Sequence, residues 1–547
     1  MSSFFKQFSF LEKIVISVVF IIFCNNLFLD IMQIDAAQYS GISAEMAQTH
    51  SYLEVKEFGN DYLDKPPLLF WISSLSIQFF GINNFAYKFP SFLFLLLSLV
   101  SIFKFCQLFY SEKVAKNAVL IFATSQAYFL MTNDVRTDAI LTSSVITAIW
   151  LFSEYFERKK LKFLIFGSFF IALAMMAKGP IGLIAVLLPL GFNLIYHKKW
   201  KLVFGWHWLL VCIIIALLLF PMSYGLYTQY DLQTEKIAYG KKGQSGLYFY
   251  YWLQSFGRIT GENTWNNGTP FHFFLGSTLW DFFPWILPLY FSIFTKLKSV
   301  FSSNKNKSEI ISLVGFLSIF LMLSLSKYKL PHYVFVTFPF AAIFIGDYFS
   351  NLKLKQFNNW KIIFMFFGIL ILLLISIYPI LFFKELNFIL FFCILLQIGI
   401  LIYFSKQKQE KSSVFQLISI VLVLNIFLSF VFYPKLLTFQ SDSVAGKWSF
   451  EKIQNQPIYT YEIQSHAFNF YSKNPFIKAV DSSSMQTIEK PYWLFIEKSK
   501  LKAIKKYHYN KIESFDSYPI TKLKLPFLLS KTREQQLEKK YLIRIVN

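Results

Sequence analysis

The chain has 547 residues, of which 55% are hydrophobic and only 15% charged, and its mean hydropathy is +0.46. Soluble proteins normally carry about a quarter charged residues, so this composition excludes an ordinary soluble globular protein. The formal net charge of +22 does not indicate nucleic-acid binding, because the lysines stand in short runs between apolar segments. There they set membrane orientation and meet anionic lipid headgroups, so we expect membrane lipids and no nucleic acid as partners.

Apolar runs recur along the first 433 residues at about the length, 18 to 25 residues, that crosses a bilayer core. The first run follows Lys6 and Lys13 and is typical of an uncleaved signal anchor, since no small-residue cleavage site follows it. We predict about thirteen transmembrane helices, at 11–29, 88–108, 115–131, 139–156, 162–177, 180–196, 203–222, 284–296, 309–326, 331–349, 361–383, 386–404 and 414–433.

Basic residues gather in alternate loops, as the positive-inside rule requires when the N-terminus is cytoplasmic. The one short basic loop on the other side contains Lys327 and Lys329. The predicted cytoplasmic positions are Lys113 and Lys116; Arg158, Lys159 and Lys160; Lys198, Lys199 and Lys201; Lys296, Lys298, Lys305 and Lys307; Lys353 and Lys355; and Lys406, Lys408 and Lys411. This topology puts residues 434–547 outside.

Two predicted outer loops, 30–87 and 223–283, are too long to be simple connectors and are rich in aromatic residues. From residue 434 onward the chain becomes charged and shows short β-like runs separated by helical pieces, which indicates a small α/β domain. The predicted fold class is therefore an α-helical polytopic membrane protein, with a transmembrane domain at 1–433 and a C-terminal extracytoplasmic α/β domain at 434–547.

Charged residues are almost absent from the middle of the predicted spans and concentrate at their outer ends and in the two outer loops. A secondary transporter more often places ionisable residues near the midplane. This distribution predicts chemistry at the outer surface of the bilayer. A transporter or export component for lipid-linked saccharides remains the alternative.

Two residues of the first outer loop could act together on a substrate. Asp35 opens a predicted helix and could be a base, while Lys65 precedes Pro66 and Pro67 at the return to apolar sequence and could bind an anion. The ordinary alternatives are a helix cap for Asp35 and a lysine that reaches to the headgroups for Lys65.

Several motifs resemble, in order and spacing, the GT-C superfamily of glycosyltransferases. The closest resemblance is to the branch of protein O-mannosyltransferases and bacterial aminoarabinose transferases of lipid A. The motifs are DAAQY at 35–39, YLDKPP at 62–67, FGINNFAYKFPS at 80–91, NDVRTD at 133–138, AKGP at 177–180 and SKYKLPHY at 326–333. The chain departs from the pattern at Ala36, where the family often has Glu, and at Gln38, where the aminoarabinose branch tends to have Arg.

The resemblance implies an inverting transferase of the bacterial inner membrane that moves a sugar from a polyprenyl-phosphate carrier to a lipid, glycan or protein acceptor. Lipid A is one such acceptor, and the outer domain could help select it. Asp35 matches the first acidic residue of the family motif and is the expected catalytic carboxylate. Asp138 is the second candidate, with capping of its own helix as the alternative.

The departing phosphate of such a donor must be neutralised by cations and hydrogen-bond donors. Lys65 is the strongest candidate from the resemblance, and a headgroup anchor is the alternative for each of the other cations. The expected phosphate-binding residues are Lys65, Tyr39, Tyr62, Lys178, Arg258, Lys327 and Lys329.

No cofactor is required by this chemistry. In the aminoarabinose branch an acidic residue and a His of the second loop can hold a divalent ion. Asp64 and His272 are the corresponding candidates here for Zn²⁺, Mg²⁺ or Mn²⁺. Two ligands do not make a complete site, so metal binding stays an open alternative.

Overall fold

The computed structural model describes residues 9–238, 240–262, 265–301, 309–384, 387–406, 414–453 and 456–546. Lys6, Lys305, Lys307, Lys408 and Lys411, which entered the topology prediction, lie outside these ranges. The α-helices of eight or more residues are Phe10–Asn26, Asp35–Thr49, Leu68–Phe80, Asn84–Phe109, Glu112–Ala123, Gln126–Asn133, Thr137–Arg158, Leu161–Lys178, Ile181–Tyr196, His207–Leu226, Phe273–Asp281, Ile286–Phe301, Ile311–Leu325, Phe338–Ser350, Leu354–Ile377, Phe388–Lys406, Val414–Phe427 and Ser441–Lys452.

Eight candidate spans in the described part of the chain are long and apolar enough to cross a membrane. They are Asn84–Phe109, Thr137–Arg158, Leu161–Lys178, Trp200–Asp231, Pro331–Ser350, Leu354–Phe382, Phe388–Lys406 and Leu417–Leu437. Shorter apolar helices cover Leu68–Phe80, Ile181–Tyr196 and Ile311–Leu325. The polytopic helical fold is as predicted, while the count of thirteen spans stays a prediction.

One predicted span is wrong for a local reason. The span predicted at 115–131 is broken into Glu112–Ala123 and Gln126–Asn133, because the Ser125 side chain caps the second helix by accepting from the Tyr128 N–H. The first predicted outer loop contains the apolar helix Leu68–Phe80, which ends at Gly81 with a φ of 77°. That helix is shorter than the run of about 18 residues that crosses a bilayer core.

Helix Thr137–Arg158 runs through the centre of the bundle and is buried almost along its whole length. The hydroxyls of Ser143, Thr147 and Ser153 each donate to the carbonyl four residues earlier in the same helix. Asp138 stands in its first turn. The most buried of the eight candidate spans therefore carries one of the predicted catalytic carboxylates.

Residues 456–546 contain a five-stranded mixed sheet with the spatial order Ala479–Val480, Ile458–Tyr461, Tyr492–Glu497, Glu538–Ile545 and Tyr509–Ser517. The first three strands are parallel. Strand Glu538–Ile545 pairs antiparallel with both of its neighbours, and Leu494 of strand Tyr492–Glu497 lies opposite its Ile543. Strand Tyr509–Ser517 is absent from the sequence prediction because its side chains are mostly exposed and it lies at the edge of the sheet. The domain boundary after residue 433 stays a prediction; the last candidate span continues to Leu437.

Candidate active site

Asp35 is the first residue of helix Asp35–Thr49, and its carboxylate accepts a hydrogen bond from the guanidinium of Arg136. The N-cap of this helix is Ile34, without a side-chain capping bond, so the capping alternative for Asp35 is wrong. The Asp35 side chain is 36% exposed although that of Arg136 is only 13% exposed. A fixed carboxylate with an open face can orient a substrate hydroxyl.

Arg136 also donates from Nε to Asp134 at 2.8 Å, so one guanidinium bridges two carboxylates. Burial raises the pKa of Asp134, with Arg136 opposing the shift. Burial works against the charge of Arg136, but Asp134 and Asp35 outweigh it and raise the pKa of the guanidinium. Arg136 therefore stays charged, and its planar fork fixes both carboxylates.

Lys65 lies next to Asp64, with Nζ 2.6 Å from Oδ2. Gln254, from the second outer loop, donates to the other oxygen of Asp64 at 2.9 Å and accepts at Oε1 from Arg258 at 2.7 Å. The two predicted outer loops therefore meet through one amide side chain. Arg258 is buried and also donates to the hydroxyl of Tyr333 at 3.1 Å.

Tyr333 joins Arg258 to Lys178, whose ammonium lies 3.7 Å from the centre of the Tyr333 ring. A cation over an aromatic face contributes roughly 0.5–2 kcal/mol, more when desolvated. Lys178 Nζ is also 2.5 Å from Oδ1 of Asp138, and Nε2 of His332 lies 3.8 Å from the other oxygen. Asp138 is 2% exposed, so it needs these partners.

Asp138 lies where its ion pair with Lys178 holds that lysine in one orientation. The cap position of its helix belongs to Arg136, which makes no side-chain capping bond, so the capping alternative for Asp138 is also wrong. Its predicted assistance in catalysis stays a prediction.

A cavity beside Lys178 and Arg258 combines charge with an apolar wall. Its polar lining includes Lys178, Gln254, Arg258 and Tyr333. Its apolar lining includes Ile181, Ile184, Ile259, Met322 and Leu323. This combination suits a ligand with an anionic group and a hydrocarbon chain.

Tyr39 and Tyr62 flank Phe70, edge-on at ring-centre distances of 5.9 and 5.8 Å. Burial, and then the charges of Asp35 and Asp64, raise the pKa of Tyr39 well above its ordinary value. The Tyr39 hydroxyl therefore stays neutral in the field of the Asp35 and Asp64 carboxylates. Phosphate binding by either tyrosine stays a prediction.

Lys329 is buried and holds the second outer loop, since Nζ donates to the Thr269 carbonyl at 3.1 Å and its own carbonyl accepts from Asn267 at 2.7 Å. Lys327 is exposed, and its side chain packs against Gly261. These contacts give both lysines structural roles, and their predicted phosphate contact stays a prediction.

The metal prediction finds little support in the chemistry of its two residues. Both oxygens of Asp64 are engaged, by Lys65 and by Gln254, and His272 is exposed directly before helix Phe273–Asp281. Across the described ranges, no three His, Cys, Asp or Glu side chains gather as a metal site. We derive no step through a metal ion, and binding by Asp64 and His272 stays a prediction.

The sequence predicts no role for Arg136 or Gln254, although both connect the predicted residues. The signal for Arg136 was its place in the NDVRTD motif between Asp134 and Asp138. Gln254 carried no such signal, because its partner Asp64 lies 190 positions away in the chain.

Known proteins share sequence and fold with this chain. Residues 64–224 match the family model of dolichyl-phosphate-mannose-protein mannosyltransferases. The undecaprenyl phosphate-alpha-4-amino-4-deoxy-L-arabinose arabinosyl transferase of Wigglesworthia glossinidia brevipalpis is 26% identical over 335 residues, covering 60% of this chain and 56% of that protein. A second such transferase, from Proteus mirabilis, is 24% identical over 329 residues, covering 58% and 55%. The matched region thus spans little more than half of these relatives.

The crystal structure of ArnT from Cupriavidus metallidurans bound to undecaprenyl phosphate superposes with a TM-score of 0.73 at 14% identity. The superposition covers 97% of each chain. The likeness extends over the transmembrane helices and the C-terminal sheet alike. The chain has the GT-C glycosyltransferase fold and resembles the aminoarabinose transferases of that superfamily.

Proposed function

We propose that this chain is a polytopic membrane glycosyltransferase that moves a sugar from a polyprenyl-phosphate carrier to an acceptor of the bacterial cell envelope. The acceptor is a lipid such as lipid A, a glycan or a protein. Transfer takes place at the outer face of the inner membrane and inverts the anomeric centre. The relatives named as undecaprenyl-phosphate aminoarabinose transferases support this class of donor.

The observation that carries the proposal is the cavity in which Lys178 and Arg258 adjoin an apolar wall. A polyprenyl phosphate needs both features, because its phosphate is charged and its chain is hydrocarbon. Lys178 is oriented by Asp138 and the Tyr333 ring, and Arg258 by Gln254 and Tyr333. Cations held this way neutralise a phosphate without having to reorganise during the reaction.

Lys65 belongs to the same cluster, since its partner Asp64 accepts from Gln254, which in turn accepts from Arg258. A donor phosphate would compete with Asp64 for the Lys65 ammonium. Lys65, Lys178 and Arg258 together neutralise the leaving phosphate in this proposal.

In the reaction we propose, an acceptor oxygen forms a bond to the anomeric carbon while the bond from that carbon to the phosphate oxygen breaks. The phosphate leaves with the electron pair, and the acceptor proton passes to the Asp35 carboxylate or, through it, to solvent. Arg136 keeps Asp35 in one orientation. General-base assistance of this kind contributes roughly 10²–10⁴-fold.

The test is turnover by the purified full chain in detergent micelles, supplied with carrier-linked sugar and envelope lipid extract. The proposed enzyme releases polyprenyl phosphate without any membrane gradient, and Asp35→Asn does not. A transporter has no second compartment in micelles and therefore consumes no donor. Intact donor in the presence of folded wild-type protein and a complete acceptor extract would contradict the proposed function.

A further inference from the structure

The segment directly before Asp35 is held by side chains from more than 400 positions later in the chain. The hydroxyl of Tyr471 accepts from the Ile31 N–H at 2.7 Å. Gln440 accepts from the Gln33 N–H at 2.7 Å through Oε1 and donates to the Ile31 carbonyl at 3.1 Å through Nε2. One amide side chain thus fixes the backbone on both sides of residue 32.

The bonds to Ile31 are shielded from water, because Gln440 and Ile31 are each 1% exposed. A buried polar group left without its partner costs more stability than an average hydrogen bond contributes. The nearby ion pair between Lys447 and Asp30 is different in kind: the lysine side chain is 45% exposed. Exposed pairs contribute little, so the buried Gln440 contacts dominate.

A second contact holds the far side of the Asp35–Thr49 helix. Nε2 of His466 lies 2.8 Å from Glu57, which also accepts from Gln38 at 2.7 Å. The His466 ring stacks on Phe58 with 4.1 Å between ring centres. At Gly41 an added Cβ would lie 2.5 Å from Nδ1 of His466, so only glycine allows this approach.

We propose that Gln440 is a positioning residue for the Asp35 carboxylate. Gln440 fixes Ile31 and Gln33 in the segment that leads into the Asp35 helix, and the His466 contact holds the loop packed against that helix. The C-terminal region therefore sets the placement of the reacting carboxylate. This inference rests on the proposed role of Asp35. A shift of about 1 Å in a reacting group can cost about 100-fold in rate.

The test compares Gln440→Met, which keeps the volume but loses both hydrogen bonds, with Lys539→Met, which removes an exposed pair with Asp516 in the C-terminal sheet. The readouts are kcat and donor KM of the full chain, together with hydrogen exchange at the amides of Ile31 and Gln33. We expect Gln440→Met to lower kcat at least tenfold, with donor KM within twofold of wild type, because Lys178 and Arg258 are untouched. We expect both amides to exchange faster, and Lys539→Met to stay close to wild type.

Faster exchange of the Ile31 and Gln33 amides with an unchanged kcat per folded molecule would overturn the positioning role. Unchanged exchange of these two amides would overturn it as well. If Gln440→Met fails to fold, Tyr471→Phe removes the hydroxyl that accepts from Ile31 and donates to Asn84, and it should speed exchange at Ile31 and lower kcat in weaker form. Full activity of Asp35→Asn would instead defeat the proposed role of Asp35. In that case the exchange of Ile31 and Gln33 still reports whether Gln440 holds the segment.

Discussion

Arg136 reaches Asp35 across 101 positions of sequence and holds its carboxylate at the start of a buried helix. The same guanidinium holds Asp134. This pair places the predicted catalytic carboxylate in a fixed orientation while more than a third of its side chain stays exposed. The relationship links the first predicted outer loop, 30–87, with the short outer segment between the predicted spans 115–131 and 139–156.

Replacing Arg136 with Lys should lower kcat, because a single ammonium cannot bridge two carboxylates in the geometry of a guanidinium. We expect a loss of roughly 10–100-fold in kcat from misplacement of Asp35, with donor KM much less affected. Steady-state kinetics on purified protein checks this. The matched control is Arg158→Lys, at an i,i+4 pair with Glu154 where the arginine side chain is 54% exposed. Wild-type kcat in Arg136→Lys would show that the bridge is dispensable.

Replacing Lys178 with Met should weaken binding of polyprenyl phosphate, because the cavity loses its central ammonium. We expect the Kd to rise at least tenfold, about 1.4 kcal/mol, while Lys178→Arg keeps most of the affinity. Binding of the carrier lipid to purified protein is the measurement. Lys199→Met, at the exposed pair with Glu157, is the control for loss of a lysine. Equal Kd values for Lys178→Met, Lys178→Arg and Lys199→Met would show that Lys178 does not bind the donor phosphate.

A fall in pH should weaken the contact between Glu57 and His466. Burial opposes the charge of Glu57, but hydrogen bonds from His466 and Gln38 outweigh it and lower the pKa below the ordinary 4.5. A carboxylate with a lowered pKa contributes stability that is fully present above pH 4.5 and is lost as pH falls through the folded-state pKa. Glu57→Gln should therefore melt below wild type at pH 7, and the difference should shrink in more acidic buffer. A difference in Tm that grows on acidification would contradict this sign.

The predicted topology can be read by labelling engineered cysteines in a background in which Cys24, Cys106, Cys212 and Cys393 are replaced. Ser499→Cys, in the C-terminal region, should react with a membrane-impermeant maleimide in spheroplasts. Lys113→Cys, in a predicted cytoplasmic loop, should react only after lysis. The opposite pattern would invert the assignment of the outer face.

The general fold could be predicted from the sequence, because apolar length and the alternation of basic loops report directly on membrane crossing. The helix break at Ser125 could not be predicted, since a single capping serine divides a run that is apolar on both sides. Strand Tyr509–Ser517 was missed because an exposed edge strand lacks the alternation that marks a half-buried one.

The candidate site was predictable where a motif carried it. Asp35, Lys65 and Lys178 came from the resemblance, and the structure connects Lys65 to Lys178 through Asp64, Gln254, Arg258 and Tyr333. Gln254 and Gln440 belong to none of the motifs found in the sequence. Their roles depend on which distant segments meet, and neither composition nor spacing encodes that information locally.

The central claim is tested most directly by mass spectrometry of envelope lipids and glycans from cells that lack the gene, complemented with wild type or with Asp35→Asn. Glu54→Gln, which alters only an exposed pair with Lys56 in the same loop, is the matched control, and membrane levels of all variants are compared by immunoblot. We expect that one sugar disappears from one envelope molecule, and that wild type and Glu54→Gln restore it while Asp35→Asn does not. Restoration by Asp35→Asn at equal protein level, or an envelope unchanged by loss of the gene, would contradict it.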